Sequence, residues 1–141
     1  MAFWLFKSEP SEWGWDDQMA KGDIGEEWDG VRNYQARNFM RQMAVGDLGF
    51  FYHSQKEKAL VGVVQVIAET HQDSSTDDAR WECVDIKAVC KLGQPITLDQ
   101  VKSDPKLANM ALVKMSRLSV QPVTNAEWDH LMNLSQTSLP D

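Results

Sequence analysis

Two apolar runs, residues 48–52 and 60–68, lie on either side of a polar stretch at residues 54–58. Runs this short, rich in β-branched and aromatic residues and separated by so few polar positions, fold back on one another as a hairpin. A lone hairpin is at best marginally stable in water, so further strands must cover its apolar face. The chain supplies them. Residues 3–6 read as a short buried first strand, residues 81–89 alternate as a strand does, and residues 117–120 read as a last strand that Pro122 ends.

Helical segments separate these strands at irregular intervals. Pro10 and Ser11 open a helix over about residues 12–20, and Gly22 ends it. Asn33 fits an N-cap for a helix over residues 34–43, with Ala36, Phe39, Met40 and Met43 as its apolar stripe. Tyr34, Arg37 and Arg41 share another face of that helix. Thr97 caps a short helix near residues 98–101, which Asp104 and Pro105 stop. Thr124 with Glu127 forms a capping box for a closing helix to about Leu134. Residues 21–30 and 71–79 read as polar loops, Pro95 as a break, and residues 135–141 as a frayed tail. This lacks the regular rhythm of a parallel βαβ sheet. It predicts one α+β domain over residues 1–134, built on a curved, mostly antiparallel sheet or small barrel with short helices around it.

The 141 residues carry a net charge of −7, so bulk attraction to a polyanion is excluded as a binding mode. The charge is uneven, however. Residues 31–44 hold Arg32, Arg37 and Arg41 and no carboxylate. Residues 69–85 hold six acids (Glu69, Asp73, Asp77, Asp78, Glu82, Asp85) and read as a solvated face. No apolar run approaches the ~20 residues of a membrane-spanning helix, and residues 1–7 read as a strand rather than a signal peptide. Cys83 and Cys90 have no Cys or His cluster beside them, so buried reduced thiols are expected rather than a disulfide or zinc site. A reducing cytoplasm fits that expectation. His53, His71 and His130 are scattered without metal-ligand spacing, and no phosphate-binding glycine motif occurs, so neither a metal nor a cofactor is expected.

Residues 28–38 carry the densest chemistry. Trp28, Gly30, Arg32, Asn33, Arg37 and Asn38 combine an aromatic plate with planar groups able to bond at two points. Such a set suits a flat heterocycle, which asks for a stacking face and in-plane hydrogen bonds. Trp28 either stacks on a ligand or folds back to cap the core. Arg32 and Arg37 can grip a base edge or a phosphate, or pair with Glu26, Glu27 or Asp29 on the surface, and Arg41 is expected in solvent. Asn33 is explained by capping alone. Residues 7–9, Lys7, Ser8 and Glu9, follow the first strand into a position where a cleft is expected; Glu9 either accepts from a base N–H or belongs to a capping turn. Tyr52, His53 and Ser54 close another strand, and His53 fits a hydrogen-bonding role better than a general base because no nucleophile is paired with it.

At these residues the chain resembles the EVE-domain family of the PUA-like superfamily, of the thymocyte nuclear protein type. The matching blocks are residues 4–10, 28–38, 46–47, 51–54, 61–62 and 117–122, in order along nearly the whole chain. The resemblance implies a PUA-like fold and a pocket for a modified nucleobase, most simply a modified cytosine in DNA; related YTH and SRA domains hold methylated bases in aromatic-walled pockets. Carried over by block, Trp28, Gly30 and Val31 would floor the pocket and Lys7, Ser8 and Glu9 would line one side. Arg32, Asn33 and Arg37 would supply edge or phosphate contacts. Tyr52, His53 and Ser54 would close the wall, with Arg117, Leu118 and Ser119 nearby. One departure is His71-Gln72-Asp73, where relatives often carry a proline before the aspartate. The expectation is therefore a reader of modified DNA or RNA bases. A nucleotide or small-molecule sensor, favoured by the net charge, and a nucleobase-processing enzyme using Glu9 or His53 are the alternatives.

Overall fold

The computed structural model describes residues 1–140. Among them six strands form one open sheet in the order β2-β5-β4-β3-β1-β6. Strand β1 (Phe3–Ser8) is its organising element. It lies parallel to β3 (Leu48–His53), with Phe3 opposite Leu48 and Ser8 opposite His53, and antiparallel to β6 (Val120–Val123). The expected hairpin joins β3 to β4 (Ala59–Gln72). Strand β4 then pairs antiparallel with β5 (Glu82–Thr97), and β5 with the two-residue β2 (Glu26–Glu27). The sheet is mostly antiparallel, as expected, with β1–β3 as its parallel pair.

Strands β4 and β5 are 14 and 16 residues long, too long to stay flat. Their pairing slips register between Leu60 and Gly62, Val63 and Val64, Val66 and Ala68, and Ala68 and His71. Each slip bends and twists the ribbon, and this supplies the curvature. Alternation along the strands sends apolar side chains to both faces. One face gathers Trp4, Phe6, Phe51, Val64 and Val66 with Trp15 of α1 (Trp15–Ala20) and with Ala36 and Met40 of α2 (Tyr34–Arg41). The other gathers Leu5, Phe50, Tyr52, Leu60 and Val63. It is covered by Val101 of α3 (Leu98–Ser103), Leu112 of α4 (Ala111–Lys114) and Trp128 and Leu131 of α5 (Asn125–Leu134).

The caps read from sequence form as expected. Asn33 accepts from the Ala36 N–H, Thr97 from Gln100 and Thr124 from Glu127. Several boundaries differ. Helix α1 starts at Trp15, because Gly14 caps it with its N–H donated to Asp17. Strand β5 runs straight through Pro95. Lys91 pairs with Gly62 and Ile96 with Leu60, so Pro95 lies in a gap of the ladder that asks no N–H of it. Pro122 lies inside β6 for a related reason, since β6 is an edge strand. The tail is not frayed at its start. The N–H groups of Gly93 and Gln94 donate to Thr137 Oγ1 and the Ser135 carbonyl, and Ser135 is buried. Cys83 and Cys90 are free thiols.

Candidate functional site

A cavity of about 680 Å3 opens where the end of β1 faces the loop between β2 and α2. Lys7, Ser8 and Glu9 line one side, followed by Glu12 and Trp13 from the turn before α1. Residues 26–32 line the other side, and Ser74 and Ser119 complete the rim.

Loop 28–32 is held from both ends. The Trp28 N–H donates to the Val84 carbonyl, prolonging the β2–β5 ladder. Gly30 adopts φ +78°, a conformation that favours glycine. Its N–H donates to Asp73 Oδ2 at 2.9 Å, and Arg32 Nη1 donates to the same oxygen at 3.1 Å. The other oxygen, Asp73 Oδ1, accepts from the Ser75 N–H at 2.8 Å and from the Ser75 hydroxyl. Burial pushes the Asp73 carboxyl up, but the bonds from Ser75, Gly30 and Arg32 outweigh it and hold the group below its ordinary 3.8. Asp73 is fully buried, which corrects its reading as part of a solvated acidic face. A carboxylate can be buried when most of its lone pairs are taken by donors.

Trp28 is 8% exposed and stands at the boundary between core and cavity. Phe6 and Phe51 meet its ring edge to face at 5.4 and 5.6 Å. The two roles left open for it are therefore compatible: the indole seals the core and also faces the opening. Trp13 adds a second aromatic wall, with its Nε1 donating to Gln18 Oε1. His53 supports that wall from behind. Its Nε2 accepts the Trp15 N–H at 3.0 Å, so the ring proton sits on Nδ1, facing Glu57. Trp15 lies flat on Gly62, where any Cβ would come within 2.3 Å of the ring. That glycine is thus a seat for the segment carrying Trp13, not merely a strand residue.

The lining is acidic: Glu9, Glu12, Glu26, Glu27 and Asp29 against Lys7 and Arg32. Burial, then the neighbouring Asp73, Glu27 and Glu26, raises the Asp29 carboxyl above its ordinary 3.8. Lys7 turns its ammonium away, donating to the Ser116 carbonyl at 2.6 Å and lying over the Tyr52 ring, and burial lowers its pKa. Glu27, His71 and Cys83 bring one possible metal-ligand atom each within 4.8 Å of one another. All three are already engaged. Glu27 accepts from the Ser74 hydroxyl and from the Cys83 thiol, and the His71 nitrogens face the Gln72 carbonyl and the Asp85 carboxylate. Two acceptors on one imidazole suit a protonated ring, whereas a metal needs a bare nitrogen.

Of the residues expected at the site, Lys7, Ser8, Glu9, Trp28, Gly30, Val31, Arg32 and Ser119 meet at the cavity. Asn33, Arg37, Tyr52, His53, Ser54, Arg117 and Leu118 do not line it. Asn33 is spent as a cap, Tyr52 is buried on the opposite face of the sheet, and Leu118 is buried in the core near the site. Ser54 ties down β1 by donating its N–H and its hydroxyl to the Ser8 carbonyl. Arg117 is exposed, and Arg37 lies over the Tyr34 ring on the outer face of α2. Arg41 is exposed, as expected, and there pairs with Glu82. Trp13, Glu12 and Asp73 were missed by sequence reasoning. The Trp-Gly-Trp at residues 13–15, two residues beyond a matching block, was the available signal for the first; nothing in the sequence marks Asp73 as buried.

The chain as a whole is similar to known proteins. The EVE domain family model matches residues 2–134. Mouse thymocyte nuclear protein 1 is 35% identical, over 96% of this chain and 74% of its own length. A crystal structure of a protein from Agrobacterium tumefaciens superposes with a TM-score of 0.96 at 51% identity, covering 100% of both chains. The human THYN1 protein, solved in complex with DNA containing 5-methylcytosine, superposes with a TM-score of 0.88 at 34% identity, covering 98% of this chain and 99% of that one. The chain belongs to the EVE-domain family, and its curved, mostly antiparallel sheet with surrounding short helices is the PUA-like α+β fold.

Proposed function

We propose that this chain reads a modified nucleobase, a modified cytosine in DNA, by holding the base outside its stack in the cavity between β1 and loop 28–32. The observation that carries the reading is the cavity itself, whose two indoles stand among hydrogen-bond acceptors. Its volume, about 680 Å3, falls within the ~300–1,000 Å3 of small-molecule sites and exceeds the need of one pyrimidine ring. Cytosine offers an exocyclic amine donor, and Glu9, Glu12 and Asp29 offer carboxylate acceptors along the lining. The same acids repel phosphate, so the base enters while its backbone stays at the rim. The human relative bound to 5-methylcytosine DNA supports the choice of base and polymer.

The reading is of a binding module without turnover. The Ser8 hydroxyl donates to the Trp13 carbonyl and the Ser74 hydroxyl to Glu27, and His53 spends both nitrogens on Trp15 and Glu57. No histidine is poised to activate either hydroxyl.

Intrinsic tryptophan fluorescence tests the proposal. Single-stranded DNA with one 5-methylcytosine should quench or shift the emission and bind more tightly than the same strand with cytosine. The margin for one methyl group is about 1–3 kcal/mol. Trp28→Phe, which preserves most of the packing, should reduce both the signal and the preference. Equal affinity for both strands would defeat the proposal. The matched RNA strand shows which polymer is preferred.

A further inference from the structure

Beside the cavity, on the outer face of α2, lies a surface that the pocket does not use. Tyr34 is half exposed and stacks on Trp81 with ring centroids 4.9 Å apart. The Arg37 guanidinium lies 4.8 Å over Tyr34 and 5.9 Å from Trp81, and Arg32 lies 5.5 Å over Trp81 from the cavity side. Arg80 reaches the Tyr34 hydroxyl from the far end. The aromatic pair thus fixes a row of guanidinium groups that begins at the cavity rim.

The row is cationic outward although acids stand near it. Arg32 is 40% exposed while its partner Asp73 is 1% exposed. Arg80 is 64% exposed against 34% for Asp78, and Arg41 43% against 29% for Glu82. In each pair the arginine is the more exposed partner, although Asp78 takes Arg80 Nε and Nη2. Arg37 pairs with no carboxylate among the described residues. Nη1 donates to the Arg80 carbonyl, and Nε and Nη2 donate to Asn38 Oδ1. Three of its five N–H donors are used, so two remain, along with the full charge. Oriented forks of this kind match the oxygens of a phosphodiester.

We propose that the row formed by Arg32, Arg37 and Arg80 on the Tyr34–Trp81 pair is the track for the nucleic-acid backbone flanking the pocketed base. This inference rests on the reading above, since it is the pocket that brings a strand here. It explains how a protein of net charge −7 engages a polyanion: the contact is local and fixed in orientation.

The test pairs two ligands with two variants. Binding of a single-stranded DNA carrying one 5-methylcytosine is measured by fluorescence anisotropy across a salt series. Binding of free 5-methyldeoxycytidine is followed by NMR shifts of the tryptophan indole N–H groups. Arg37→Gln should lower the slope of log affinity against log salt by about 0.7, and weaken strand binding about fivefold at about 0.1 M salt. Arg37→Lys should restore most of the slope, because the charge returns without the fork. Nucleoside shifts should be the same in all three proteins, since Arg37 does not line the cavity. An unchanged salt slope in Arg37→Gln, with nucleoside binding intact, overturns the track and leaves the pocket reading standing. A wild-type protein that binds the strand with an Arg37-dependent slope but ignores the nucleoside upholds the row as a backbone contact and sinks the pocket, and with it the track as flanking a pocketed base. Binding of neither ligand overturns both.

Discussion

Asp73 is the residue whose removal should do the most damage for its size. Replacing it with alanine deletes four hydrogen bonds at once: two from Ser75, one from the Gly30 N–H and one from Arg32. Breaking a buried charged pair costs about 3–5 kcal/mol, because the partner is left uncompensated. Arg32 is 40% exposed and can turn to water, which places the cost near about 3 kcal/mol. For a chain of this size that is a fall in Tm of about 10 °C. Asp73→Asn keeps one acceptor oxygen and should lose roughly half as much. The assay is thermal unfolding by circular dichroism, together with binding of methylated DNA at a temperature where every variant is folded. Affinity should fall in step, because loop 28–32 loses its anchor. Acid should act in the same direction. A carboxyl held below 3.8 in the folded state contributes stability that is fully present above that value and is lost as pH falls through the lowered one. A Tm of Asp73→Ala within about 2 °C of wild type, with affinity unchanged, would refute the clamp.

Two further expectations follow from geometry. Gly62→Ala puts a Cβ about 2.3 Å from the Trp15 ring, so the segment carrying Trp13 must shift; overpacking of this kind costs about 1–3 kcal/mol, read as a lower Tm and a changed tryptophan emission. His71 is raised above 6.5, chiefly by its hydrogen bond to Asp85, so its contribution is fully present below 6.5 and lost as pH rises through the raised value. Tm should therefore decline modestly on the alkaline side, and His71→Gln should flatten that decline; an unaltered profile would contradict the pairing.

Local rules were legible wherever a single residue type settles local geometry. Asn33, Thr97 and Thr124 announce their helices because each supplies the acceptor that a helix start lacks. The hairpin of β3 and β4 was equally plain from its pattern. Where tertiary pairing decides, the sequence misleads. Pro95 looks like a strand terminator, and only the register gap opposite Gly62 and Leu60 shows why it is tolerated. At the site, loop 28–32 and the end of β1 could be named from their chemistry, but Asp73, which anchors the loop, could not. Asp73 reads as one more surface acid until donors from three residues, two of them more than 40 positions away, are seen converging on it. His53 is a hydrogen-bonding histidine, as expected, but its partner is the Trp15 N–H and not a group in the cavity.

The neighbours of β1 also govern the order of assembly. Strand β1 is made before both of its partners, β3, 45 positions later, and β6, 114 to 120 positions later. On the ribosome β1 therefore keeps both backbone edges open until β3 emerges, and one of them until β6 does. Slowing translation should lengthen that wait and make the nascent chain more dependent on chaperones, even though both backbone edges of the strand are paired in the finished domain.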